Sequence, residues 1–379
     1  MSKLSPKTGP FDVNTKIIPQ TEGIKYAGSK KKLIPQILTL AKKSGAKTVL
    51  DGFSGSTRVS QAFASSEYNV ISSDKAIWSE VFGQCYLKAK KPKAYYEELI
   101  AHLNALPGRD GWFSEHYGGF AHNDHKNIQQ KMPWQIHNTR KLDSIREEID
   151  NLQISFNDKC VAITSLILAM DRVDSTIGHF SSYLREWSPR SYNNMTMKLP
   201  KIIEGTGNHS VIRGDIFDTI KNEDVDLAYF DPPYGSNNEK MPPSRVRYSS
   251  YYHVWTTICL NDKPNLFGKV NRRQDSRDNA DPSVFEEYRK NPEGHFIAVE
   301  AIKRLITEAS ARYIMLSYSS GGRATAEELY EVMNDAGELV EVIEVDHKEN
   351  VMASMVWTND WLRDAQKPNR EFIFLLKKR

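Results

Sequence analysis

Thr48-Val49-Leu50-Asp51 runs directly into the small-residue turn Gly52-Phe53-Ser54-Gly55-Ser56. A helical stretch through Val59 and Phe63 follows, then a second strand from Asn69 to Ser73, ending at Asp74. Strand, glycine turn, helix, strand admits few folds, because two neighbouring parallel strands require a right-handed crossover. Upstream, Leu33, Ile34, Ile37, Leu38 and Ala41 recur at helical spacing over Lys30 to Lys43, with Gly45 as a stop signal. Downstream, a helix is expected from about Ile77 to Leu87. These elements predict an α/β domain with a mainly parallel sheet.

The rhythm breaks between roughly Lys88 and Glu204. That stretch reads as helices (Tyr95 to Ala105, Thr139 to Leu152, Asp158 to Val173) with aromatic, His-rich loops and no strand series. Strands resume at Val211 to Arg213, Val225 to Phe230, Arg312 to Ser317, Leu339 to Val345 and Glu371 to Leu376. Helices are expected around Phe296 to Ser310 and Ala324 to Asp335. The organisation expected is a flexible arm over residues 1–23, one α/β domain formed by 24–90 and 205–379, and a mainly helical insertion over 91–204.

Composition narrows the class. Of 379 residues, 39% are hydrophobic and 26% charged, which excludes a disordered or fibrous chain and gives a prior of two to three domains. The longest nearly uncharged apolar run, Cys160 to Met170, falls short of the roughly 20 residues of a membrane helix. Met1 to Phe11 is polar and lacks a signal-peptide core. A soluble, cytoplasmic, monomeric protein with no membrane partner is expected. Cys85, Cys160 and Cys259 stand apart, which supports neither disulfides nor a cysteine zinc site. His116, His122 and His125 fit no common zinc spacing, so no metal is expected. Net charge is only +3, yet Lys240 to Arg277 holds eight Lys or Arg against Asp262 and Asp275, a local net of +6. Such a stretch is either a solvated loop or a basic binding surface.

The sharpest signal is Asp231-Pro232-Pro233-Tyr234, immediately after the apolar strand Val225 to Phe230. Each residue before a proline is pushed to an extended conformation, and proline itself fixes φ. The exit therefore holds the Asp231 carboxylate and the Pro232 carbonyl as two rigid acceptors at the edge where open α/β sheets bind ligands. Two acceptors followed by a ring suit an exocyclic amine on a flat base: each takes one N–H, and Tyr234 stacks on the base. The Gly52 to Ser56 turn lacks the Gly-Lys-Ser/Thr ending of a phosphate loop. It suits a nucleoside without phosphates, with Asp74 placed to accept from ribose hydroxyls.

Tyr26-Ala27-Gly28-Ser29-Lys30, then Asp51 to Ser56, Asp74 and Asp231 to Tyr234, together resemble the Dam-like, alpha-group DNA adenine N6-methyltransferases, over about two thirds of the chain. Ser165 to Leu184, Tyr251-Tyr252-His253 and Glu371 to Lys377 resemble more closely the subgroup of type IIS restriction-modification systems. The resemblance implies a Rossmann-like S-adenosylmethionine-dependent methyltransferase sheet, with the inserted helical region as the target-recognition region for double-stranded DNA. It implies a site-specific, adenine-specific methyltransferase acting on a flipped-out base, paired with a separately acting restriction endonuclease. Asp231, Pro232, Pro233 and Tyr234 would be catalytic. Tyr26, Lys30, Asp51, Phe53, Gly55, Asp74, Asp215 and Asp231 would hold S-adenosylmethionine. The family's turn often ends in a second glycine, where this chain has Thr57.

DNA contact is expected from Arg245, Arg247, Tyr252 and His253, with Tyr248 and Trp255 in the same basic, aromatic stretch. Ala169 to Thr176 reads equally as a capped helix end with a local Asp-Arg pair or as part of a pocket. Three alternatives stay open on sequence: cytosine N4 transfer by the same amine chemistry, an RNA base methyltransferase, and a non-catalytic DNA- or cofactor-binding subunit.

Overall fold

The computed structural model describes residues 18–120, 132–184, 186–205, 207–235, 248–277, 283–347 and 369–379. Seven strands form the central sheet: β1 (Thr48–Asp51), β2 (Asn69–Asp74), β3 (Ser210–Arg213), β4 (Val225–Phe230), β5 (Ala311–Ser319), β6 (Gly337–His347) and β7 (Asn369–Lys378). Their order is β6-β7-β5-β4-β1-β2-β3. The neighbours β5-β4, β4-β1, β1-β2 and β2-β3 pair in parallel, whereas β7 runs antiparallel to both β5 and β6. Every strand read from the sequence is present, lengthened by a residue or more at one or both ends except β1 and β4.

Alternation along the buried strands divides the core in two. Val49, Leu227, Tyr229, Met315, Ile373 and Leu375 point to one face, where they join a large apolar cluster. Leu50, Ala228, Phe230, Ile314, Leu316, Phe372 and Phe374 point to the other. Helices cover both faces, as a parallel sheet requires. They are α1 (Ile34–Ser44), α2 (Arg58–Ser65) and α3 (Ile77–Lys88) on the first face, with α8 (Ile216–Asn222), α11 (Ile297–Glu308) and α12 (Ala326–Ala336) on the second.

The insertion supplies α4 (Lys93–Ala105), α5 (Trp112–Tyr117), α6 (Ile136–Asn151) and α7 (Phe156–Arg172). Its only strands among the described residues are a two-residue ladder, Gly118–Gly119 with Trp134–Gln135. The apolar run from Cys160 to Met170 is the body of α7 and is buried on every side, packed against α3, α4, α6 and a later helix, α10 (His253–Leu260). The helical layer thus continues the core of the first sheet face. The short helices α5, α8, α10 and α9 (Tyr248–Tyr251) were not legible as periodic patterns. Among the described residues, no helix is long and apolar enough to cross a membrane.

Gly45 ends α1 in the left-handed region, at φ 67°, with its N–H on the Lys42 carbonyl. A Cβ added there would meet nothing within 4 Å, so the conformation alone requires glycine. Gly45→Ala should destabilise the fold by about 1–2 kcal/mol in urea unfolding, without altering ligand binding. An unchanged unfolding midpoint would show that the turn relaxes instead.

Candidate active site

The sheet order reverses between β1 and β4, and the carboxyl ends of β1, β2 and β4 meet there, at the crevice where ligands of open α/β sheets bind. The turn leaving β1 is packed from below. Gly52 donates its N–H to the Tyr229 carbonyl, and a Cβ on it would sit 2.8 Å from both Ile216 and Phe230 side-chain carbons. Gly55 has φ 46°, and a Cβ there would lie 2.9 Å from the Tyr26 hydroxyl. Its N–H donates to Asp74 Oδ2 at 2.8 Å. Thr57, where a second glycine is common, adopts φ 60° despite its β-branch. Its hydroxyl donates to the Ser56 carbonyl and accepts from Gln61, so the turn keeps a glycine-like path.

Asp74 is fixed at both oxygens, since Ala76 N–H donates to Oδ1, and burial raises its carboxyl above the ordinary range. Beside it, the Tyr26 ring stacks on Tyr252 at 5.0 Å and tilts against Trp78 and Tyr248. Phe53 meets Phe285 edge-on at 5.3 Å, and Phe285 stacks on Phe217. Asp215 caps α8 by accepting from Phe217 N–H and is exposed at the same rim.

Asp51, at the end of β1, is buried. Ser60 donates to its Oδ2 at 2.6 Å, while Oδ1 is buried without a hydrogen-bond partner among the described residues. Desolvation pushes this carboxyl up to about 7 against the Ser60 bond, and the nearby Asp231 and Asp74 add to the rise.

At the end of β4, Lys30 Nζ lies 2.8 Å from Asp231 Oδ1 and 3.2 Å from Glu371 Oε1. The Tyr234 hydroxyl donates to Asp231 Oδ1 and is also within hydrogen-bond reach of Glu371 and Lys30. Ser317 donates to Glu371 Oε1 at 2.8 Å. Burial raises the Asp231 carboxyl, Lys30 opposes that rise, and Glu371 adds to it. Lys30 itself is held protonated by the two carboxylates, which outweigh its desolvation. Pro232 is buried, and the Tyr234 carbonyl accepts from Arg323 N–H, which fixes the exit of the strand.

The structure brings Tyr26, Lys30, Asp51, Gly55, Asp74, Asp231 and Tyr234 to one edge, with Phe53 and Asp215 on its rim. Two expected DNA contacts need correction. Tyr252 is fully buried, its hydroxyl accepting from Ala27 N–H, and it serves as the floor beneath Tyr26. His253 is fully buried near Tyr117 and Phe180, and burial drives its imidazole down to about 3, so it is neutral. Neither offers a surface to DNA. Trp255 is likewise core. Arg245 and Arg247, like His122 and His125, lie outside the described residues. The Ala169 to Thr176 segment is no local Asp-Arg pair. Asp171 and Asp174 instead bind Lys25, Asp174 also binds Arg190, and Arg172 reaches the Thr196 carbonyl. Sequence reasoning missed Glu371, Ser317 and Phe285, and it read Tyr248 as a DNA contact, whereas its ring packs against Tyr26. A charged residue opening an otherwise apolar strand was the available signal for Glu371.

Sheet order, the single antiparallel strand and acidic residues closing β1 and β2 define the S-adenosylmethionine-dependent methyltransferase fold. The model of the D12 class N6 adenine-specific DNA methyltransferases matches residues 26–291, and the chain belongs to that family. It is 24% identical over 331 residues to the modification methylase StsI of Streptococcus sanguinis, covering 82% of this chain and 46% of that protein. To the type II methyltransferase M.NlaIII of Neisseria lactamica it is 25% identical, over 82% of this chain and 88% of the relative. To M.FokI of Planomicrobium okeanokoites it is 23% identical, over 83% and 47%. The chain thus spans about half the length of the StsI and FokI methylases.

Asp51 keeps a proton in the folded protein that an unfolded aspartate, with a pKa of about 3.9, has lost. Stability therefore declines as pH rises from about 4 to about 7. Asp51→Asn removes this dependence, so its stability should fall less than wild type across that window, by up to about 4 kcal/mol. Parallel urea-unfolding curves for the two proteins at both pH values would contradict the assignment.

Proposed function

We propose that the chain is a site-specific DNA methyltransferase that moves a methyl group from S-adenosylmethionine to N6 of a flipped-out adenine, as the modification half of a restriction-modification system. The observation that carries it is the rigid Asp231-Pro232 corner beside Asp51 and Asp74 at the sheet's switch point.

The residues fit the donor. Asp51 Oδ1, buried and unpartnered, is an acceptor suited to the ammonium of the methionine end. The Gly55 turn under Tyr26 leaves no room for a Cβ and suits a closely held nucleoside. Asp74 suits the ribose hydroxyls, and Asp215 with the Phe53 to Phe285 rim suits the adenine. When bound, the cofactor supplies an electrophilic methyl group on a sulfonium.

The chain's own contribution is alignment and charge. Asp231 and the Pro232 carbonyl each accept one N–H of the target amine, which turns the nitrogen lone pair towards the incoming carbon. Orientation of this kind contributes about 7–11 kcal/mol in favourable cases. As the new C–N bond forms and the C–S bond breaks, leaving a neutral thioether, the positive charge passes to the amine, and the Asp231 carboxylate balances it. Burial raises Asp231's proton affinity, so it is suited to receive the proton that the amine then sheds. Tyr234 is held by its hydroxyl, which fixes the ring for stacking. Flipping costs a few kcal/mol, offset by phosphate contacts for which the exposed Lys263, Lys269 and Arg277 of the basic stretch are suited, while the helical insertion at 91–204 reads the site. The protein would act in the cytoplasm beside a separate endonuclease.

Purified protein with methyl-labelled S-adenosylmethionine and duplex DNA should yield N6-methyladenine on nucleoside digestion. Label on cytosine, or on RNA alone, would overturn the substrate. Asp231→Ala should lower kcat by about 10²–10³-fold or more with an unchanged circular dichroism spectrum. Undiminished turnover would remove the mechanism.

A further inference from the structure

We propose that Glu371 is a positioning residue that sets the charge of the transfer site: it shares Lys30 with Asp231 and clamps Tyr234, leaving the buried Lys30, Asp231 and Glu371 group at a net charge of −1. The inference rests on the methyltransferase reading and deepens it. Glu371 lies beyond the segment matched to the family model, which ends at residue 291.

Topology brings it there. Among the described residues, β7 runs opposite to the other six strands of the sheet, so its beginning, rather than its end, reaches the edge where β1 and β4 terminate. Glu371 pairs in register with Ser319 of β5 and points to the same face as Ile373 and Leu375, the face that Asp51, Asp231 and Ser317 also share. At 3% exposure it is as buried as the core, yet its Oε1 gathers Lys30, the Tyr234 hydroxyl and the Ser317 hydroxyl.

Charge explains why an acid belongs at this point. A buried carboxylate carries a desolvation cost that an uncharged acceptor would avoid. Lys30 and Asp231 alone would be a neutral pair, with the carboxylate neutralised by the ammonium. A methyl donor bearing a sulfonium, and an amine that becomes cationic, are both favoured by a site with one negative charge in excess. Glu371 provides that excess while engaging Lys30 at 3.2 Å. The charged and titratable groups facing Asp231 are Lys30, Tyr234, Glu371, Asp51, Tyr229, Tyr248 and Tyr26. Of these, Glu371 is the acid ion-paired to the same ammonium.

The test compares calorimetric affinities of the full chain for S-adenosylmethionine and for S-adenosylhomocysteine, which lacks the sulfonium charge. Glu371→Gln should lose about tenfold of the wild-type preference for the charged ligand, and Glu371→Asp should restore most of it. The acid limb of kcat/KM should also move to lower pH in Glu371→Gln, because the negative neighbour that raises Asp231 is gone. If Glu371→Gln fails to fold, Glu371→Met, uncharged and of similar volume, takes its place. Equal weakening of both ligands with an unmoved acid limb would reduce Glu371 to a structural part and overturn the proposal. A wild-type protein that binds neither ligand would instead overturn the methyltransferase reading itself, and this proposal with it.

Discussion

Three carboxylates, Asp51, Asp231 and Glu371, end up at one edge of a parallel sheet with little water to solvate them, and Lys30 is the cation that makes this arrangement tenable. A buried charge is costly unless it is paired. Lys30, itself only 7% exposed, pairs with two of the three at 2.8 and 3.2 Å. Asp51 lies outside its reach and is relieved differently, by a raised proton affinity and one bond from Ser60. Lys30 sits on the short turn ahead of α1, so the same ion pairs that stabilise the site also dock the Tyr26 to Lys30 segment over it. The seating of the Tyr26 to Lys30 segment and the Asp231 to Glu371 corner are therefore two consequences of one electrostatic requirement.

Which face those groups share follows from strand parity. Residues two apart point the same way, so Val49 and Asp51, Tyr229 and Asp231, Met315 and Ser317, and Ile373 and Glu371 form apolar-to-polar steps on one side of the sheet. Each of these strands is core until it nears this edge, where it presents a polar group instead. The opposite face stays apolar through Phe230, Leu316 and Phe372, which hold α8, α11 and α12.

Elements with strong periodicity were legible. All seven strands and the long helices follow from alternation, glycine turns and apolar spacing, and the Asp-Pro-Pro-Tyr corner follows from proline geometry. What escaped the sequence depended on partners far away in the chain. Glu371 joins the site only because β7 runs backwards, and strand direction is not written in a strand's own residues. Tyr252 and His253 sit in a basic, aromatic stretch, which suggests a nucleic-acid face. Yet α10 carries Val254, Trp255 and Ile258 into the core shared with α3 and α7, and the two residues go with them. Thr57 looked like a departure from a tight turn, but its hydroxyl bonds let a β-branched residue hold a left-handed conformation.

The helical insertion is not tethered to the sheet by linkers alone. α7 is buried against α3, and its end supplies Asp171 and Asp174, which hold Lys25 five residues before Lys30. Asp174 also binds Arg190, tying the loop after α7 into the same group. Desolvation pushes Asp171 up to about 6 against the pull of Lys25, the mark of an ionic group sealed inside the packing. The proposed in-line transfer would depend on alignment, where misplacement by about 1 Å can cost about 10²-fold in rate. A region that supplies both a wall of the core and the anchor of the Tyr26 to Lys30 segment fixes that alignment through close packing, which deforms little under load. The spacing between the insertion and the Asp231 corner is thus set by the core of the fold.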